Sequence, residues 1–270
     1  MSIAITFNEL KDFARECFER ARRTADDRRL PKRSIPLSRE SVHMSQAVIA
    51  SDVRRYSDEP LSTVQHFDAI RGWGAFLTFD LRKSSKRAVR IGPRDTFLTM
   101  HTYLPVALKV LKAASGEVVG LRGDGAVAAF GIVRAEERDK PCSEAESSKM
   151  AKLACVAGEA VIRAVTEIVN PQLNAGAVES GLVVGVGVDM GEFVATRIGV
   201  MDAEEFTAYG ECVNKSSHLS ERGNDNVVVS NKVRAGYPSK PAGSAGFHRI
   251  PDALGLFIYR YPPEQSPFRS

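Results

Sequence analysis

Residues 117–133, EVVGLRGDGAVAAFGIV, place an Asp-Gly pair between two runs of β-formers. This is among the strongest short-range hairpin signals, because the tight turn needs positive φ and glycine adopts it without steric cost. The stretch must fold back on itself. Asp124 then stands at the tip, either as a turn residue or as a carboxylate placed to hold something. Asp80 sharpens the question, because in GAFLTFDL it interrupts a run that is otherwise uncharged from Ala75 to Leu81. A charge there has to lie at a strand end, be paired, or bind a cation. If the two segments are neighbours in one sheet, both carboxylates finish on one rim and repel unless a divalent metal lies between them. Mg²⁺ favours one or two carboxylates plus phosphate oxygens. Gly123 and Gly125 leave the backbone bare beside Asp124, so a phosphate chain can approach.

The remaining elements arrange themselves around these two segments. Arg94 to Ala114 has a helical stripe of Phe97, Met100, Leu104, Leu108 and Leu111, with a kink expected at Pro105. SEAESSKMAKLACVAGEAVIRAVTEIVN reads as the clearest helix, opened by a Ser143–Glu146 capping box and striped by Met150, Leu153, Ala157, Val161, Val165 and Ile168. GLVVGVGVDM and GEFVATRIGV read as a second hairpin, with Gly185, Gly187 and Gly191 as packing and turn glycines. AYGECVNKSSHLSERG reads as a short helix, NVVVS as a strand, and GFHRIPDALGLFIYRY as one or two more strands. This order is α+β, with the ferredoxin-like βαββαβ plan and a mainly antiparallel sheet. It occupies residues 69–265, between an N-terminal helical arm (1–68) and a short tail (266–270).

In the arm, Leu10, Phe13, Cys17, Phe18 and Ala21 lie at helical spacing after Asn8, a candidate cap, and MSQAVIASDVRRY is a second short helix. Arg20 to Lys32 is arginine-dense, but Asp26 and Asp27 interrupt it and no aromatics are interleaved. We read it as a solvated amphipathic helix packed on its own domain or on a partner subunit, not as a nucleic-acid surface. The net charge of +4 does not call for nucleic acid or membrane. No apolar run approaches the ~20 residues of a membrane span. The early charges do not fit a signal peptide, so a cytoplasmic protein is expected. The 4 cysteines lack CxxC spacing and the 5 histidines lack HExxH or zinc spacing.

Beyond Asp80, LRKSSKRAVR sets Ser84, Ser85 and free N–H groups just past a strand end, with Arg82, Lys83, Lys86 and Arg87 around them. It reads equally as a polyphosphate cradle or as a solvated basic loop.

Four segments, in order, resemble the class III nucleotide cyclase catalytic domain of adenylate and guanylate cyclases. They are FLTFDLRKSSK, GEVVGLRGDGAVAAFG, LVVGVGVDMGEFVATRIG and AYGECVNKSSHLSERGNDNVVVSNKV, covering about Gly74 to Tyr261. The resemblance implies a head-to-tail homodimer with sites at the interface, metals from one chain and base recognition from the other. It implies that Asp80 and Asp124, with Leu81 beside Asp80, hold two Mg²⁺ or Mn²⁺ ions, and that the substrate is a nucleoside triphosphate. Asn214 matches the ribose-orienting asparagine. The family's transition-state arginine falls on His218, where a neutral imidazole is a poorer clamp than a guanidinium and a protonated one can serve. Arg222 or Arg249 are other cations able to take that role. The purine-selecting lysine falls at Gly120, just before Arg122, and its partner aspartate at Thr207; neither position carries a charge to select adenine. With Arg82, Ser84, Ser85 and Gly123, these complete the expected substrate contacts. The altered base pocket and the arm resemble one branch, the bacterial Pycsar pyrimidine cyclases. That branch implies a product of cUMP or cCMP, made as an antiphage signal, with UTP the expected substrate. Alternatives on the same fold are a cytidylate or adenylate cyclase, or a catalytically dead domain that only dimerises or senses nucleotides. A diguanylate cyclase would need a GG[DE]EF motif, which the chain lacks.

Overall fold

A computed structural model describes residues 2–30, 69–134, 142–200, 203–237, 246–251, 255–260 and 265–269. The second arm helix, expected at residues 44–56, lies outside the described residues. The elements are β1 (Ile3–Thr6), α1 (Phe7–Asp27), β2 (Ala69–Leu81), α2 (Ser84–Ala113), β3 (Glu117–Arg122), β4 (Gly125–Arg134) and α3 (Glu144–Ala164). After α3 come a π-helical turn (Val165–Val169), α4 (Asn170–Ala175), β5 (Val184–Val200), β6 (Ala203–Tyr209) and α5 (Glu211–Arg222). The chain closes with β7 (Asn226–Ser230), α6 (Asn231–Gly236), β8 (Gly246–Arg249), β9 (Leu256–Arg260) and β10 (Phe268–Arg269). The main sheet runs β3-β4-β2-β5-β7-β9-β8, with β6 paired to the far half of β5, and β5–β7 is its parallel pairing.

β2 is the spine of this sheet. Its side chains alternate between two apolar layers, as a strand covered on both faces requires. Ala75, Leu77, Phe79 and Leu81 join the larger core with α1, α2 and α3, whereas Ile70 and Phe76 join a smaller core with Phe193, Cys212 and Val213. α5 lies flat on the second face. Gly185 and Gly187 allow this contact, since a Cβ on either would lie 2.2 Å from the Ser220 carbonyl or 2.1 Å from the Ser216 carbonyl. The Thr78 and Ser216 hydroxyls, both buried, bond at 2.8 Å across the same contact.

The structure corrects three local expectations. The hairpin expected at Met190–Gly191 is one unbroken strand, because β2 pairs with it from Leu81↔Val184 to Ala69↔Thr196 and sets Gly191 opposite Gly74. A turn there would strip half of β2 of its partners on that edge. Gly191 is therefore a strand glycine. The kink expected at Pro105 falls instead at Gly92 (φ 79°, ψ 172°). Pro93 forces its predecessor out of the helical region, and glycine takes the positive φ freely. The first helix is capped by Thr6, not Asn8: Thr6 Oγ1 accepts from the Glu9 N–H at 3.2 Å, and Glu9 Oε2 accepts from the Thr6 N–H at 2.8 Å. The capping box at Ser143–Glu146 forms as expected, and its whole apolar stripe is buried. α1 buries Leu10, Ala14, Phe18, Ala21 and Ala25 and packs on α2, so it shares the core of its own chain.

Candidate active site

Two features of the β3–β4 turn bring Asp124 to the end of β2. Gly123 has φ +63°, as the tight turn demands. A Cβ on Gly125 would lie 2.1 Å from the Phe79 carbonyl oxygen and 3.1 Å from Asp80 Cα, so only glycine lets the turn close over the strand end. The two carboxylates consequently face each other. Burial, the Asp124 charge and a hydrogen bond with Asp124 together push the Asp80 carboxyl up to about 6. Arg82, donating to Asp80 Oδ2 at 2.6 Å, acts in the opposite direction.

Whether this rim suits a divalent cation can be tested on its polar atoms. Asp124 Oδ2 is buried and has no hydrogen-bond partner. A buried carboxylate oxygen left without a donor is costly, and a cation would satisfy it. Among the described residues no three His, Cys, Asp or Glu side chains gather to hold a metal. Two carboxylates with room left for phosphate oxygens are the donor set that Mg²⁺ and Mn²⁺ take. The residues fit the ions.

Immediately past Asp80, α2 begins. Lys83 turns the chain with φ 57°, no side chain caps the first N–H groups, and no acid stands in the first turn. Ser84 is half-buried there and Ser85 exposed, so the helix presents its positive end beside the acidic pair. Arg82 bridges Asp80 and the Glu221 carbonyl on α5, at 3.0 Å from the latter. Arg87 is not part of a cradle. It is buried against Glu179, bonding its carboxylate at 2.8 Å and also its backbone carbonyl, and it anchors the helix. Leu81 is buried, so its side chain serves the core.

The expected base- and ribose-reading residues lie elsewhere. Gly120 faces open space on β3, Arg122 is exposed near the turn, and Thr207 is half-buried on β6, which packs against β3. Asn214 and His218 are one turn apart and exposed on α5, opposite the buried face of Val213, Ser216, Leu219 and Ser220. Among the described residues, Glu221 is the acid near them, 3.9 Å from His218 Nδ1. Arg249 is exposed on β8, the opposite edge of the sheet from β3 and four strands from β2. Within one chain it is remote from the two aspartates.

Sequence reading missed two polar groups. Asp189 on β5 is fully buried and accepts from the Ser230 hydroxyl. It carried the same signal as Asp80, a charge inside the apolar run GVGVDM. Tyr103 on α2 is fully buried, with its ring edge-on to Phe79 at 6.0 Å. It passes for a core aromatic in the helical pattern.

No family model matches the chain. Over 161 residues it is 26% identical to a cytidylate cyclase of Escherichia coli, covering 58% of this chain and 33% of that protein. The chain thus spans about a third of the length of this curated relative. The adenylyl cyclase CyaB from P. aeruginosa superposes with a TM-score of 0.59 at 16% identity, over 75% of this chain and 100% of that one. The guanylyl cyclase Cya2 does so with 0.53 at 18%, over 70% and 90%. The guanylate cyclase domain of RhGC from Catenaria anguillulae, solved with GTP, does so with 0.54 at 13%, over 71% and 97%. The chain has the fold of class III nucleotide cyclase domains.

Proposed function

We propose that the chain is a nucleotide cyclase that converts a pyrimidine nucleoside triphosphate into its 3′,5′-cyclic monophosphate and pyrophosphate. The observation that carries this reading is the pairing of Asp80 and Asp124 on one rim, with a buried, unpartnered Asp124 oxygen beside an uncapped helix start. Asp80, Asp124 and the Leu81 backbone would hold two Mg²⁺ or Mn²⁺ ions. When bound, such ions lower the pKa of the ribose 3′-hydroxyl and neutralise charge on the triphosphate. In the reaction the 3′-oxygen bonds to the α-phosphorus, the bond from that phosphorus to the β-phosphate oxygen breaks, and the hydroxyl proton is released.

The chain's own groups account for the rest. The first N–H groups of α2, with Ser84 and Ser85, receive phosphate oxygens, and Gly123 lets the phosphates approach the backbone. Arg82 donates to Asp80 Oδ2 and favours its charged form. Arg122 extends the positive border. We assign Asn214 to the ribose and His218 to the leaving phosphates, both acting on the site of a partner chain, with Arg249 as a further cation from that side. A head-to-tail homodimer is supported by their outward exposure. It is also supported by exposed apolar side chains on the β5–β6 arm, where Val194 and Tyr209 pair across the strands and Ile198 follows.

A pyrimidine is supported by the cytidylate cyclase similarity and by the uncharged Gly120 and Thr207 at the base-reading positions. UTP is our first reading, with an antiphage signal as its biological use. CTP is the second, favoured by the name of the E. coli relative. Incubation with ATP, GTP, CTP and UTP plus Mn²⁺, with products identified by mass, tests this. A cyclic pyrimidine nucleotide is expected, a purine product would overturn the base assignment, and no product at all would support a dead sensing domain.

A further inference from the structure

Among the described residues, buried hydroxyls find partners almost without exception. Thr78 bonds Ser216, Thr99 and Thr102 bond carbonyls one turn back, Ser220 bonds the Ser217 carbonyl, Ser230 bonds Asp189, and Tyr259 bonds Tyr237. Tyr103 departs from this pattern. It is 0% exposed, and its hydroxyl oxygen is buried with no hydrogen-bond partner. A phenylalanine would fill the same volume and avoid burying that oxygen, so packing alone does not account for a tyrosine.

Its surroundings give a reason. The ring stands perpendicular to Phe79, the residue just before Asp80. After burial itself, the groups acting most strongly on the phenol are the Asp124 and Asp80 carboxylates, in that order, with Arg82 opposing them. A phenol keeps its proton at neutral pH, so it can act as a donor. The Asp124 Oδ2 atom is the complementary case, a buried acceptor with no donor. A carboxylate oxygen has two lone pairs, so it can ligate a cation and accept a hydrogen bond together.

We propose that Tyr103 is a positioning residue for the metal site, its hydroxyl being the donor that fixes the inner oxygen of Asp124 when a divalent cation is bound. This rests on the metal-binding reading of Asp80 and Asp124. Groups that orient metal ligands from behind typically change metal affinity 10–100-fold when removed.

The experiment compares the full chain with Tyr103→Phe and Asp124→Asn, titrating each with Mn²⁺ alone and following free Mn²⁺ by its electron paramagnetic resonance signal. Thermal unfolding without metal is recorded in parallel. Tyr103→Phe is expected to weaken Mn²⁺ binding about 10-fold while its metal-free melting temperature holds or rises. Asp124→Asn is expected to abolish the binding. Unchanged affinity in Tyr103→Phe, with loss in Asp124→Asn, would overturn the role of Tyr103 and leave the metal site standing. A lowered metal-free melting temperature with unchanged affinity would also overturn it, marking the hydroxyl as structural. No Mn²⁺ binding by the unaltered chain would overturn both readings.

Discussion

Asp189 and the Asp80–Asp124 pair are carboxylates taken wholly or partly out of water, and their surroundings differ in kind. Asp189 is fully buried under α5, and burial raises its pKa, but everything else around it favours its charge: the Ser230 hydroxyl, Lys215, the Met190 backbone and Lys232. Ser230 in turn accepts from the Val233 N–H and caps α6, so the acid is tied into a structural chain of hydrogen bonds. Asp80 is only half-buried, and after burial the strongest influences on it come from another acid, Asp124. One carboxylate is placed where a hydroxyl and two lysines favour its charge, although its Oδ2 is buried without a partner. The other is placed where the fold opposes it. An arrangement that costs stability without serving the core is the signature of a site kept for a ligand.

The contrast can be broken most directly at the turn. On the proposed function, Asp124→Ala or Asp80→Ala should reduce turnover by roughly 10³-fold or more, because the ions these residues would hold would contribute several kcal/mol to transition-state stabilisation. Circular dichroism should be unchanged. Retained turnover in either variant would remove the functional side of the comparison.

Gly125→Ala should follow, with a loss of about 10²-fold, as expected for a site displaced by ~1 Å. The added Cβ would meet the Phe79 carbonyl oxygen at 2.1 Å and push the turn away from β2. Wild-type kinetics in this variant would mean that Asp124 reaches Asp80 by some other route.

Stability measurements sharpen the comparison, since the two acids should respond with opposite signs. Asp189→Ala should destabilise by about 1–3 kcal/mol in denaturant unfolding, because it strands the Ser230 hydroxyl. Turnover per folded molecule should not change. Asp80→Asn should do the reverse in metal-free protein. The folded-state pKa of Asp80, about 6, lies above its ordinary value of 3.8. Ionising it therefore costs stability, which is intact below pH 3.8 and is lost as pH rises through 6. After allowing for solvent screening at this part-exposed group, Asp80→Asn should gain about 1 kcal/mol at pH 8 and nothing near pH 3.5. A pH-independent difference would show that Asp124 does not oppose Asp80 in solution.

The amino-acid sequence by itself determined the local elements and the order of their assembly. The glycines around Asp124 fixed a reversal, which the structure places at residues 123–124 with the positive φ on Gly123, because few other residues tolerate that conformation. Ser143 and Glu146 fixed a helix start because they satisfy each other's backbone donors. The charge at Asp80 marked a strand end because a carboxylate cannot stay inside an apolar sheet unpaired. Tertiary structure decided what depends on partners distant in the chain. β5 runs straight through Met190–Gly191 because all of β2 lies beside it to be paired. Arg87 leaves the basic cluster because Glu179, 92 positions away in the chain, is there to receive it. Tyr103 is unexceptional in a helical stripe, and only the folded chain sets its hydroxyl among the acids. Periodicity and turn chemistry act between near neighbours, whereas pairing, burial and charge act between whatever the fold brings together.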